Sequence, residues 1–404
     1  KRHSPMGLAF LNGPVRGKNV FIPLNFVIGG EKMLGQGWRM LMECLSIGRG
    51  ISLPAVSAAQ SQLAYRMTGA YSVLREQFKQ PLFRFEGVAA ALAMIAGLTY
   101  LMEAVRQFTV TAVDASLKPA LASSIAKYHM TEFARIIVND SMDIHGGRGI
   151  QLGPRNYLAQ AYIAAPISIT VEGANILTRN LILFGQGAVR CHPFLMDEIK
   201  AIQKNDSKRL ARLLRGHFFY SVKNWLKTLS FAFGLGIFFV KSPLNKFRYY
   251  YCQLSRMSAA LALITDFTLL TLGGSIKRRE RLSARLGDVL SYLYMASSVL
   301  RYYQDHPSSA EDLYYTQWAL DYCLYHIQTA FEKFFTNFPQ RILGRLLHLT
   351  VFPLGRSYKL ANDKQDAALL NAMTQASEFR ERMTQYCYLG KSKEDTTGRV
   401  EFAF

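Results

Sequence analysis

One carboxylate in this chain stands where a base would be useful. Glu172, in the stretch Thr170-Val-Glu-Gly-Ala-Asn-Ile-Leu-Thr-Arg179, follows an apolar run from Ala164 to Val171 and precedes Ile176 and Leu177. A carboxylate in apolar surroundings is partly desolvated, which strengthens it as a general base. The spacing also predicts a helix opening at Glu172, and an acidic residue in a first turn complements the helix dipole whether or not it does chemistry. Two further stretches could hold a phosphate-bearing group. Asp143-Ile-His-Gly-Gly-Arg-Gly149 closes a helical segment with glycines; these take positive φ and admit a backbone or a phosphate, and they serve equally as a helix C-cap. In Arg75-Glu-Gln-Phe-Lys-Gln-Pro81 the Arg75 guanidinium suits phosphate oxygens, or simple pairing with Glu76.

The elements that must position these residues are mostly helices. Met40, Leu41, Cys44, Leu45 and Ile47, then Leu53, Val56, Ala59, Leu63 and Met67, recur at helical spacing, with Pro54 expected to kink the helix or sit in its wall. A second helix is expected from about Phe85 to Ser116, and a third from Pro119, suited to a first turn, to about Ile144. With the helix after Glu172 these make four long helices with short links, an up-and-down four-helix bundle. Ahead of them, from Gly7 to Gly30, short apolar runs alternate with Gly, Pro and Asn and predict two or three strands.

After Cys191 the composition changes. Lys204, Lys208, Arg209, Arg212 and Arg215 precede Phe218, Phe219, Trp225 and an uncharged run from Thr228 to Val240. That run falls short of the roughly 20 residues needed to cross a bilayer. A second apolar run, Ala259 to Ile276, contains Asp266, and a lone Asp there implies a partner inside a bundle. Ser308-Ser-Ala-Glu311 predicts a capping box opening an aromatic-rich helix to about Phe338. Arg341 to Leu349 alternates basic and apolar residues at helical spacing, and a polar helix follows near Asp363 to Tyr386. The expected class is therefore mainly α, with a strand region at 1–36, a helical bundle at 37–190 and a further all-α domain at 191–404.

Half of the 404 residues are hydrophobic and 19% are charged, as in a folded protein. The net charge of +20 implies an anionic partner: nucleic acid, a phosphate-rich cofactor or an anionic membrane surface. No basic stripe interleaved with base-reading residues appears, so no nucleic acid is expected. The five cysteines (Cys44, Cys191, Cys252, Cys323, Cys387) are scattered without a C-x-x-C pair, which points to a reducing compartment and to no metal site. The chain opens Lys-Arg-His-Ser-Pro without a signal peptide, an abrupt start that suggests a piece of a longer protein.

Taken in order and spacing, the Arg75, Asp143 to Gly149 and Glu172 stretches resemble the acyl-CoA dehydrogenase family, over roughly residues 8 to 190. Residues 36 to 45, Gln-Gly-Trp-Arg-Met-Leu-Met-Glu-Cys-Leu, and the extension after 190 resemble its large, membrane-associated bacterial fatty acyl-CoA branch. The resemblance implies that residues 1–36 end a β-barrel domain and that Glu172 is the catalytic base, taking the α-proton of a fatty acyl-CoA thioester while the β-hydrogen leaves as hydride to FAD. It implies that Arg75 meets the FAD pyrophosphate, that Gln77 and Phe78 are neighbouring cofactor contacts, and that Gly146 and Gly147 lie against the FAD of a neighbouring subunit. In some members the base precedes an Arg on the first long helix; here those positions are Gly48 and Arg49, so the role falls to Glu172, with Arg49 and Gly173 at the substrate. Asp143 replaces the usual Gln, Lys79 a Gly and Val171 a Tyr. Ala174 and Ile176 stand where Thr and Gln are usual, leaving cofactor contacts to Gly173, Asn175 or Arg179. An electron-transferring flavoprotein or similar acceptor, a homodimer, and a cytoplasmic, peripheral place on the inner face of the cell membrane are further expectations. The rival from another class is a non-catalytic helical scaffold on a membrane.

Overall fold

Strong helix formers fill long stretches of this chain, and helix is what they form. The computed structural model describes residues 3, 5–6, 12–117, 119–185, 187, 192–306 and 309–404, without the side chains of Trp38, Met42, Glu43, Ser46 and Ile182. Two compact units divide the chain: residues 1–174 with 370–404, and residues 175–369. By compactness the division falls at Ala174 and Asn175, and the C-terminal tail belongs to the first unit.

The first unit is built on α1 (Gly37–Leu74), α2 (Glu86–Asp114) and α3 (Ala120–His145), with the short α4 (Gly147–Ile150) and α5 (Ala159–Thr170) after them. Tyr65 and Met67 from α1, Ile95 and Leu98 from α2, and Ile125, Met130 and Ile137 from α3 are fully or almost fully buried and form the core. Pro54 lies inside α1 without ending it; the interior rung it removes, a loss of about 3 kcal/mol in an isolated helix, is outweighed by packing on both sides. A two-stranded hairpin, β1 (Glu76–Gln77) and β2 (Gln80–Pro81), links α1 to α2. The returning tail is held by ions: Arg66 of α1 bonds Glu381 at 2.8 Å and Glu401 at 2.7 Å, and the buried Arg380 bonds Glu401 at 2.9 Å.

Three expectations for this unit differ from what forms. The strands expected from Gly7 to Gly30 are absent among the described residues, which show one isolated bridge, His3 to Asn12, and two 3-10 turns at Leu24–Phe26 and Glu31–Met33. A strand needs a neighbour for its backbone groups, and the exposed Val15, Val20, Phe21 and Ile22 have none. The fourth helix of this unit is α5, before Glu172, with Pro166 inside it. After Glu172 comes α6 (Asn175–Leu177), running into a π-helical stretch, Thr178–Leu183, of the second unit.

The second unit contains α7 (Leu195–Gln203), α8 (Ser207–Ala232), α9 (Gly236–Phe239), α10 (Arg248–Leu272), α11 (Glu280–Asp305), α12 (Ala310–Thr336) and α13 (Arg341–Val351). Its core holds Leu263 and Ile264, Val289 and Val299, and Leu320, Ile327, Phe331 and Phe334. The capping box sits one residue later than expected: Ser309 Oγ accepts from the Asp312 backbone N–H, and the Asp312 carboxylate accepts from that of Ser309. Asp312 rather than Glu311 is at the third helical position, where the shorter carboxylate still reaches back; Ser308 is outside the described residues. The polar helix expected from Asp363 to Tyr386 breaks into α14 (Asp363–Met373) and α15 (Glu378–Met383), and α16 (Thr396–Ala403) closes the chain.

Among the described residues, two helices are long and apolar enough to cross a membrane by length and composition, Glu86–Asp114 and the continuous stretch Asn245–Arg278. Charged residues interrupt both, so neither is a long uncharged run in the sequence. Those charges are held inside protein. Glu103 accepts from Gln62 at 3.1 Å, Arg106 at 2.8 Å and Gln107 at 2.8 Å, and Asp266 is paired as described below. Helix Glu86–Asp114, 72% buried over its apolar window, is the core helix of its own unit.

Candidate active site

Glu172 sits in the four-residue link between α5 and α6 rather than in a helix's first turn, with φ at +55°. A non-glycine residue in that left-handed region is uncommon and persists where its surroundings hold it. What holds it comes from α3. Lys127, fully buried, donates through Nζ to the Gly173 carbonyl at 2.8 Å and to the Ile169 carbonyl at 3.3 Å, one on each side of Glu172. Arg49, 4% exposed, approaches from α1 and donates to Ser124 Oγ of α3 at 3.3 Å. The helices come close enough for this because residue 50 is glycine: a Cβ there would meet Ser123 Oγ at 2.6 Å.

Glu172 lies in the electrostatic reach of both cations. Burial lowers the Arg49 guanidinium from its ordinary value, against the pull of Glu172. Burial, then repulsion from Arg49, brings the Lys127 ammonium down to about 8, against the attraction of Glu172 and Glu132. One carboxylate oxygen, Glu172 Oε2, is buried without a hydrogen-bond partner. A carboxylate beside two buried cations and with a bare oxygen can accept a proton from a molecule brought to it.

The other candidates gather at the far end of the same helices. Tyr71 of α1 stacks on His145 of α3 with ring centroids 4.2 Å apart. His145 donates from Nδ1 to the Ser141 carbonyl at 2.7 Å, so its Nε2 accepts from Tyr157 Oη at 2.5 Å. Burial, aided by Arg148, pushes this imidazole down to about 4, and Arg148 lies over the Tyr71 and Tyr157 rings. This joint brings the hairpin after α1, with Arg75, Gln77 and Phe78, to the same end as Gly146 and Gly147 after α3. From Lys127 to His145 is 18 residues of helix, about 27 Å at 1.5 Å per residue. The candidate residues of this unit therefore fall into two groups, one at each end of the α1 and α3 pair.

At the hairpin, Phe78 and Lys79 both have positive φ, +50° and +64°, the two-residue turn that fits the twist of paired strands. A glycine fits residue 79 more easily than the lysine present. Arg75 and Gln77 are exposed, and Phe78 is 90% exposed. Gly146 has φ +55°, and a Cβ at Gly146 or Gly147 would meet nothing within 4 Å, so both present open backbone. A cleft of about 520 Å³ lies beside them, lined by Asn139, Met142, Asp143, Gly149, Ile150 and Tyr162 among others. Asn175, the remaining candidate, opens the second unit and is buried.

Lys127 was not singled out from sequence. Its signal is there: it stands in register with Ser123, Met130, Ala134 and Ile137, a cation on the buried face of an apolar helix. A second buried cluster lies in the other unit. Asp266 Oδ1 accepts from His192 Nε2 at 2.7 Å and His217 Nε2 at 3.2 Å, and Oδ2 accepts from Ser221 Oγ at 2.6 Å. His217 Nδ1 faces Glu198 at 2.9 Å. His192, His217 and Asp266 are close enough together to hold a cation. However, His192 Nδ1 accepts backbone N–H bonds from Phe194 and Leu195, so Nε2 carries the proton and points it at Asp266. That is the bonding of an ion network rather than of a ligand set.

Residues 189–404 match the family described as acyl-CoA dehydrogenase, C-terminal, bacterial type, and residues 35–185 match acyl-CoA dehydrogenase, C-terminal domain. Over 312 residues, 74% of this chain and 46% of the other, the chain is 25% identical to the probable acyl-CoA dehydrogenase FadE10 of Mycobacterium bovis. A 69-residue stretch, 17% of this chain and 41% of the other, is 59% identical to a protein named HemX from Proteus mirabilis. The chain spans less than half the length of these two relatives. Among solved structures, the acyl-CoA dehydrogenase complexed with FAD from Bacillus anthracis superposes with a TM-score of 0.61 at 17% identity, covering 84% of this chain and 57% of that one, a likeness of fold.

Proposed function

The chain belongs to the acyl-CoA dehydrogenase family, and from that premise we propose that the protein dehydrogenates medium- to long-chain fatty acyl-CoA to trans-2-enoyl-CoA, the first step of fatty-acid β-oxidation. The observation that carries the reading is the bare, buried Glu172 Oε2 in a link held by a buried lysine. Glu172 takes the α-proton. Arg49 and Lys127 place two buried cations within electrostatic reach of it. Bound FAD supplies the acceptor for the β-hydride. Arg49 and Gly173 line the thioester side.

For the cofactor the fit rests on the far end of the bundle. Open backbone at Gly146 and Gly147 admits a close approach, and the exposed Arg75 guanidinium, with Gln77 and Phe78, is free to reach a pyrophosphate. These residues stand about 27 Å along α3 from the base, so they serve the FAD of a second copy in a homodimer. An electron-transferring flavoprotein or similar carrier is the proposed acceptor of the electrons.

A cytoplasmic place on the inner, anionic membrane surface belongs to the same proposal. On α13, Ile342, Leu346 and Leu349 are exposed at helical spacing beside Arg341 and Arg345, and on α8 the exposed Phe218, Phe219, Trp225 and Leu226 lie among Arg212, Arg215, Lys223 and Lys227. Basic residues near an anionic surface contribute about 1 kcal/mol each, and exposed apolar side chains add insertion energy. The same faces fit the rival reading, a scaffold without chemistry. Adding fatty acyl-CoA anaerobically to the FAD-loaded full-length protein separates the two: bleaching of the flavin absorbance supports the dehydrogenase, and an unchanged spectrum with intact vesicle binding leaves the scaffold.

A further inference from the structure

We propose that Lys127 is a positioning residue for the base: it clamps the link on both sides of Glu172 and sets the field in which that carboxylate works. The inference rests on the reading of Glu172 as base. Three observations carry it beyond that reading. Lys127 Nζ bonds the carbonyls of Ile169 and Gly173, three residues before Glu172 and one after it, so the clamp closes over the base itself. Glu172 holds a left-handed backbone conformation that nothing in its own residue type favours. The ammonium is fully buried although a lysine head normally stays in water, and it donates to two carbonyls of the link.

The charges facing Lys127 are Arg49 from α1, Glu172 from the link and Glu132 from its own helix. Arg49 opposes the ammonium, while the two carboxylates favour it. Burial dominates and brings the group down to about 8. In the protonated form the clamp bonds are charge-assisted and a cation stands near Glu172; in the neutral form both contributions fall away. The rate of proton abstraction therefore depends on a group that never touches the substrate.

The test compares the FAD-loaded full-length protein with Lys127→Met, Glu172→Gln and the double variant, reading the first-order rate of flavin reduction by a fatty acyl-CoA in single turnover. Lys127→Met is expected to slow that rate at least tenfold with substrate affinity changed less than about threefold. The double variant should be no slower than Glu172→Gln alone, because Lys127 acts only through Glu172. A second readout needs no flavin: amide hydrogen exchange across residues 170–174 should speed up at least tenfold in Lys127→Met and stay unchanged in Glu172→Gln. A third needs no variant, since in the parent protein the reduction rate should fall as pH rises through about 8; it remains decisive where Lys127→Met fails to fold. Parent-like rate and exchange in Lys127→Met, with Glu172→Gln slow, overturn the clamp and leave the base intact. Multiplying slow-downs in the double variant, or a rate flat across that pH range, overturn it too. If Glu172→Gln reduces flavin at the parent rate, the base assignment fails, and the clamp fails with it.

Discussion

Two of the buried charged clusters among the described residues differ in what is left over. In the second unit, Asp266 accepts three hydrogen bonds and His217 has a carboxylate on each ring nitrogen. No oxygen of Asp266 is bare, and its carboxyl is held below its ordinary value by His192, Ser221 and His217 against the cost of burial. In the first unit, Glu172 lies near two buried cations, yet neither donates to it and Oε2 has no partner. Lys127 donates to the backbone carbonyls of Ile169 and Gly173. A saturated network fixes helices against one another; an unsaturated carboxylate keeps a lone pair for something that arrives. Buried charge alone therefore does not set the two clusters apart, whereas the missing hydrogen bond at Glu172 does.

The contrast can be broken most sharply from the structural side. Asp266→Ala leaves His217 and His192 without their shared acceptor, a loss of about 3–5 kcal/mol for removing one member of a buried ion network. Urea unfolding should register it, while flavin reduction per folded molecule stays at the parent level. A variant that kept its stability and lost turnover would move the chemistry to the wrong cluster. Glu172→Gln should do the reverse, lowering flavin reduction by about 10²-fold, the scale of general-base loss and about 2.7 kcal/mol of barrier, with the unfolding midpoint hardly moved.

Arg75→Ala sharpens the comparison within the first unit, because it tests the end away from the base. Removing a charge-assisted bond to phosphate, about 1.5–3 kcal/mol, should loosen FAD by one to two decades in equilibrium dialysis without changing the rate in flavin-saturated protein. Retained FAD with lost turnover would assign Arg75 to the chemistry.

The two clusters should also answer to pH in different quantities. The Asp266 and Glu198 carboxylates raise His217 above its ordinary 6.5, against the desolvation that lowers it. A raised histidine adds stability that is complete below 6.5 and is lost as pH climbs through the folded value. Stability should therefore decline on the alkaline side of 6.5, and His217→Gln should remove that decline. The rate of flavin reduction should ignore His217→Gln throughout. Smallest of all, Lys79→Gly relieves a left-handed lysine at φ +64° and should raise stability by about 0.5–1 kcal/mol, read as a higher thermal midpoint with the hairpin preserved.

Much of the helical order was legible along the chain. The periods of α1, α2 and α3, the proline ahead of α3 and the lone Asp266 seeking partners each follow from spacing and from the cost of an unpaired buried charge. So did Glu172 as a candidate, because it is a carboxylate in an apolar stretch. The strands expected before Gly30 did not form among the described residues, since alternation predicts a strand only where a neighbour supplies the ladder. A helix was expected at Glu172, but its left-handed backbone cannot start one.

Composition and local pattern determined that the chain is helical, basic and rich in core, because those properties are carried residue by residue. Only the tertiary structure decided that Lys127 reaches across 46 residues to the Gly173 carbonyl, that the buried Arg49 lies within electrostatic reach of Glu172, and that Tyr71 stacks on His145 at the opposite end of the same helices. Helical spacing says which face of a helix is buried. It does not say which residue of another helix stands opposite, and the role proposed for Glu172 depends on that pairing.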